Sequence, residues 1–164
     1  MRSILRLALS ATFITIGGAV PAPAQAAATD ACALITADQL SAAVGVAMDA
    51  GKYVSPGFTK TCTWLPKGGA TPTMKFFTLY LQTSVDFEAG KGVAQMAATG
   101  PNSSLTQLSG VGDDAYVINF GGRIISLLFK KSGAAVKLTW YGVTAPDKVV
   151  AAEKNVAAQI LPKL

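Results

Sequence analysis

Between Ala115 and Tyr141 three strand-like runs, Ala115 to Phe120, Arg123 to Lys131 and Ala135 to Tyr141, are separated by no more than three residues, with Gly121-Gly122 and Ser132-Gly133 as the turn signals. Connections that short cannot carry a crossover, so the three strands must pair antiparallel in chain order as a meander. Upstream, Met74 to Thr83 is a longer strand whose two faces, Phe77-Leu79-Leu81 and Met74-Phe76-Tyr80, are both apolar enough to be covered. Thr61 to Leu65 reads as a short strand ended by Pro66 and the Lys67-Gly68-Gly69 turn. Asp49 to Thr59, with Gly51, Pro56 and Gly57, reads as a loop or an edge strand, and Gly100 to Ser109 as a polar loop.

Three helices interrupt these strands. Thr36 is a good N-cap, Gln39 stands where its capping-box partner belongs, and Ile35 with Leu40 can form the hydrophobic staple. Leu40, Ala43 and Val44 then make a buried stripe, and Gly45 is placed as the stop. Val85 to Thr99 fits a helix through Phe87, Gly90/Lys91, Ala94 and Ala97/Ala98. Pro146 opens a last helix carrying Val149, Glu153, Val156, Ile160 and Leu164 at helical spacing, beside Val150, Ala157 and Leu161. The predicted class is α+β, in the order α-β-β-α-β-β-β-α. It implies an antiparallel sheet of about five to six strands with helices packed mainly on one face.

The N-terminus has the three parts of an export signal. Arg2 and Arg6 supply the positive charge, and Leu7 to Val20 is an uncharged apolar run, shorter than the roughly 18 to 20 residues a spanning helix needs. Pro21 and Pro23 break the helix, and Ala24-Gln25-Ala26 offers small residues for cleavage after Ala26. The expected organisation is therefore a signal peptide at 1–26, a flexible leader at 27–31 and a single α+β domain at 32–164. No membrane span is expected after cleavage, and the location is periplasmic or secreted. Two of the 14 Lys+Arg leave with the signal, against 9 Asp+Glu that stay. The remaining excess of positive charge is too small and too scattered to call for nucleic acid.

Cys32 and Cys62 are the only cysteines, and there is no histidine. In an oxidising compartment two thiols in a small domain most simply form a disulfide. A redox pair usually sits closer in sequence, and a zinc site would lack two of its usual ligands. The missing histidine also removes Ser-His-Asp and Cys-His catalysis. No P-loop or dinucleotide fingerprint is present, and no cofactor or metal is expected. Asp113 and Asp114, on the Gly110-Val111-Gly112 turn, are the remaining candidates for acid–base or cation chemistry. Adjacent positions on a strand project to opposite sides, which favours a turn or bulge over a shared site.

If helices leave one face of the sheet open, Phe76, Tyr80, Phe129 or Trp140 would present an apolar surface to a lipid-like ligand, a protein partner or a second copy. Lys75 and Lys137 would then stand at its rim.

The run from Ala31-Cys32-Ala33-Leu34 to Gln39-Leu40 with Gly45 is followed by Cys62-Thr63-Trp64, Gly110-Val111-Gly112-Asp113-Asp114-Ala115-Tyr116 and Lys131-Ser132-Gly133. This pattern resembles a family of bacterial exported proteins of unknown function, many of them actinobacterial lipoproteins. The resemblance implies a Cys…Cys-x-Trp staple and a compact α+β domain, and it carries no catalytic residues. Thr29-Asp30-Ala31 before Cys32 is not a lipobox, so the lipid tether of those relatives is not expected here. The function that follows is a non-enzymatic envelope domain binding a small apolar ligand or an envelope protein. The alternatives are an interaction protein such as an envelope hydrolase inhibitor and, last, an enzyme using Asp113 or Asp114. The net positive charge argues against a cationic lysozyme-type target.

Overall fold

The computed structural model describes residues 28–164, so the expected signal peptide and its cleavage site lie outside the described residues. The elements run α1 (Ala37–Val44), β1 (Lys52–Tyr53), β2 (Thr61–Trp64), β3 (Phe76–Thr83), α2 (Ser84–Ala97), β4 (Ser103–Leu108), β5 (Asp114–Phe120), β6 (Ile124–Lys131), β7 (Ala134–Tyr141) and α3 (Pro146–Ile160). A short 3-10 turn, Leu161–Lys163, follows α3. All strands belong to one antiparallel sheet in the spatial order β1-β2-β3-β7-β6-β5-β4. The α+β class and antiparallel pairing agree with the sequence, but the sheet has seven strands rather than five or six. β1 falls within Asp49 to Thr59 as the edge strand that segment allowed, and the addition is β4, lying where a polar loop is expected.

Local chemistry explains the helix ends. At α1 the Thr36 hydroxyl accepts from the Gln39 amide (3.2 Å) while the Gln39 side chain accepts from the Thr36 amide (3.1 Å). Gly45 closes the helix at φ 70°, the left-handed region glycine enters at no steric cost. α2 starts with a second capping box, between Thr83 and Asp86. Those bonds hold the Asp86 carboxyl below the usual carboxylate range.

The helices divide between the two faces. α1 and α3 cover one face, packing Leu40, Val149, Val156 and Ile160 into a core with Phe77, Leu79, Leu127, Phe129, Leu138 and Trp140. Trp64, Phe77 and Trp140 meet edge to face at its centre. The expectation of helices mainly on one face is thus met by two of them, while α2 lies across the other. Its Phe87 and Ala94 cover Tyr116, Ile118, Leu128 and Ala135. Alternation along the strands produces this division, because successive side chains point to opposite faces.

Cys32 and Cys62 form the disulfide, which ties the chain ahead of α1 to β2. The segment expected to be a flexible leader is anchored as well. Ala31 is fully buried, and its amide donates to the Thr59 carbonyl (2.8 Å). The Asp30 carboxylate accepts from the Cys32 amide (2.9 Å) and the Tyr53 hydroxyl (2.8 Å).

The turn into β5 depends on one glycine. Gly112 has φ 63°, and an added Cβ would lie 2.3 Å from the Lys130 carbonyl oxygen. Neither backbone can yield without breaking the bond from the Asp113 amide to that same oxygen (2.8 Å). Gly112→Ala is expected to lower stability by about 2 to 4 kcal/mol, read as a shifted urea midpoint at unchanged slope.

Candidate functional site

α2 leaves part of its face uncovered, and strand register sets what is displayed there. One row crosses the sheet as Phe76, Tyr141, Ile124 and Phe120. The next row is Thr63, Thr78, Thr139 and Ser126, and the third is Thr61, Tyr80, Lys137 and Leu128.

The first row builds the principal concavity. Phe76 and Tyr141 stack with ring centroids 4.1 Å apart and planes inclined by 21°. Beside them a groove of about 480 Å³ is lined by Lys75, Phe76, Arg123, Ile124, Tyr141 and the Gly142–Thr144 turn. That turn is held by the Arg123 carbonyl, which accepts from the amides of Gly142 (2.9 Å) and Val143 (3.0 Å). The Lys75 amide donates to the Tyr141 carbonyl (2.7 Å), which fixes the other wall. Lys75 and Arg123 are exposed, and neither has a carboxylate partner among the described residues. Two unpaired cations thus flank an aromatic and aliphatic floor.

The second row is closed on itself. Ser126 and Thr139 are buried and share a hydrogen bond of 2.9 Å. In the third row Tyr80 stacks on Phe58 with centroids 6.5 Å apart. Lys137 lies half-buried between them and α2, with no ion pair among the described residues, and burial pushes its ammonium pKa down. An ammonium in that setting gains from any anion that reaches it.

The four aromatics expected to form a surface do not share one. Phe76 and Tyr80 lie on the uncovered face. Phe129 is fully buried on the opposite face, in the core beneath α1 and α3. Trp140 is on that face too, 4% exposed, and its indole N–H donates to the Thr73 carbonyl (3.1 Å). Its edge borders a smaller pocket of about 210 Å³ between Val46 and the start of α3 at Lys148 and Val149. Tyr141 and Arg123 belong to the larger groove and were not placed on the apolar surface by sequence. The signal that reveals them is register: Tyr141 opposes both Phe76 and Ile124, with Arg123 next in chain.

Asp113 and Asp114 are drawn to separate structural tasks. Asp113 accepts from the Ser132 amide (2.8 Å) across the β5–β6–β7 end. Asp114 accepts from Lys91 (2.9 Å) and from the Gln107 side chain, and the Lys91 ammonium holds its pKa low. Tyr116, between β5 and α2, is buried and its phenol is pushed up to about 12, so it stays protonated. Among the described residues no group of three or more His, Cys, Asp or Glu is placed to hold a metal ion. No described helix is long and apolar enough to cross a membrane.

No protein-family model matches the chain, and neither the curated proteins nor the solved structures contain a match to it.

Proposed function

We propose that this is a non-enzymatic, exported binding domain, whose ligand lies on the uncovered part of the sheet. The ligand has a flat or aliphatic apolar body and an anionic end. The observation that carries this reading is the groove in which Phe76, Tyr141 and Ile124 form the floor and Lys75 and Arg123 stand unpaired at the walls. Apolar area gives such a site its affinity, and the cations orient the anionic end and raise the rate of encounter. The disulfide supports a home in an oxidising compartment, in keeping with export. The partnering of Asp113 and Asp114 with backbone, lysine and glutamine supports a structural role for both.

The test is amide chemical-shift mapping with two probes of equal length, dodecanoate and dodecanol. Dodecanoate is expected to shift Lys75, Phe76, Arg123, Ile124 and Tyr141 and to bind more tightly than the alcohol. Arg123→Glu should weaken dodecanoate by about tenfold while leaving dodecanol within about twofold. Shifts centred instead on Val46, Trp140 and Lys148 would move the site to the opposite face. Equal affinity for the two probes would remove the anionic end from the proposal.

A further inference from the structure

The two edges of the sheet are built differently. At one edge β1 is two residues long and carries Lys52, both of which discourage pairing with another chain. At the other edge β4 is six residues, Ser-Ser-Leu-Thr-Gln-Leu. It pairs with β5 without a bulge from Ser103–Phe120 to Leu108–Ala115 and contains no charge and no proline. The devices that blunt an open strand edge are absent from it, and α2, which packs on β4, covers a face of the strand rather than its edge.

Hydrogen-bond alternation shows which groups that edge offers. The Gly121 amide donates to the Asn102 carbonyl (2.8 Å), so Asn102 and Gly121 form a hydrogen-bonded pair. Counting on in twos, Ser104, Thr106 and Leu108 direct their amides and carbonyls toward β5. Ser103, Leu105 and Gln107 direct theirs outward.

We propose that the β4 edge is a homodimerisation surface, on which two copies pair Ser103–Leu108 antiparallel about a two-fold axis at Leu105. In that register Leu105 opposes its own copy and Ser103 opposes Gln107, so every outward-facing residue meets another. Leu105, half-buried against the α2 cluster, gains apolar contact across the axis. Ser104 and Thr106, both exposed, become directly opposed in the closer, non-hydrogen-bonded pairs, where hydroxyl side chains suit each other. A charge-free strand meeting itself brings no like charges together. Because the β1 edge is blunted, pairing closes at two copies instead of growing into a filament.

Sedimentation velocity on the disulfide-bonded protein over a wide concentration range tests the proposal. The wild type is expected to show a reversible monomer–dimer equilibrium. Ser104→Lys with Thr106→Lys places lysine against lysine twice across the axis and should weaken association by about tenfold or more. Ser104→Lys with Thr106→Glu places lysine against glutamate twice and should restore it. Both pairs alter exposed side chains only, and coincident thermal unfolding curves would show that the fold is kept. A wild type that stays monomeric throughout, or a dimer indifferent to both pairs, would overturn the proposal. So would β4 amides that gain hydrogen-exchange protection only when envelope extract is added, which would assign the edge to another protein's strand.

Discussion

Replacing Glu153 by leucine is expected to stabilise the protein by about 2 to 3 kcal/mol at pH 7, with a substantially higher midpoint in urea. Glu153 lies on the inward side of α3 between Val149, Val156 and Ala157, and it is fully buried. Neither carboxyl oxygen has a hydrogen-bond partner among the described residues. Burial without a partner penalises the charged form and pushes the pKa well above its usual value of 4.5.

The pH dependence has a definite sign. Between the unfolded pKa and the raised folded pKa, the folded state holds a proton that the unfolded state has lost. Stability therefore falls as pH rises above about 4.5, by up to about 1.4 kcal/mol per unit, and levels off above the folded pKa. Glu153→Gln should abolish that slope while leaving an unpaired amide buried, so it gains stability only at the higher pH values. Leucine should gain at every pH. Urea denaturation of the three proteins at several pH values between 4 and 9 separates these outcomes. A leucine variant less stable than wild type at pH 7 would mean that the carboxyl does work the fold needs.

Removing the disulfide is expected to cost about 3 to 4 kcal/mol in the Cys32→Ala, Cys62→Ala double variant. The bond joins residues 30 apart, so its loss frees a substantial loop in the unfolded chain. In the folded protein it holds residues 28–36 beside β2, where the Ala31–Thr59 and Asp30–Tyr53 bonds then form at little further entropy cost. Without it, hydrogen-exchange protection should drop first at the Ala31 and Cys32 positions, while the β5–β6–β7 meander stays protected. A reduced protein with verified free thiols and an unchanged urea midpoint would contradict this.

Fold and site were legible to different depths, for physical reasons. The α1 capping box, Gly45 and the β5–β6–β7 meander are set by contacts close in sequence, so reading Thr36, Gln39 and the Gly-Gly and Ser-Gly turns located them. β4 escaped because an edge strand lacks the burial that creates an apolar alternation. Its two leucines, Leu105 and Leu108, have opposite parity and face opposite sides of the sheet. The division of aromatics between faces was hidden for the converse reason. β6 and β7 are apolar on both sides, so Phe129 and Trp140 could not be told from residues of the other face without knowing where the helices lie. Tyr141 is legible in hindsight as the neighbour of Trp140, since the two must face opposite ways. Arg123 was not, because only the pairing of Ile124 with Tyr141 brings the turn beside Phe76. The burial of Glu153 was implicit in its place among Val149, Val156 and Ile160.

The seam between β3 and β7 bears on how the chain reaches this structure. β1, β2 and β3 can zip together through local turns, and so can β4, β5, β6 and β7. At the middle of the sheet, however, Phe76–Thr83 must find Ala134–Tyr141, partners roughly 50 to 65 residues apart in the chain. This junction, paired over as many residues as any in the sheet, is thus also the one whose loop is most expensive to close before its contacts repay it. Two locally formed sheets meeting late, edge to edge, make a folding barrier dominated by topology. Until they meet, the inner edges of β3 and β7 are open, and that interval is when a newly made chain is most exposed to pairing with its neighbours.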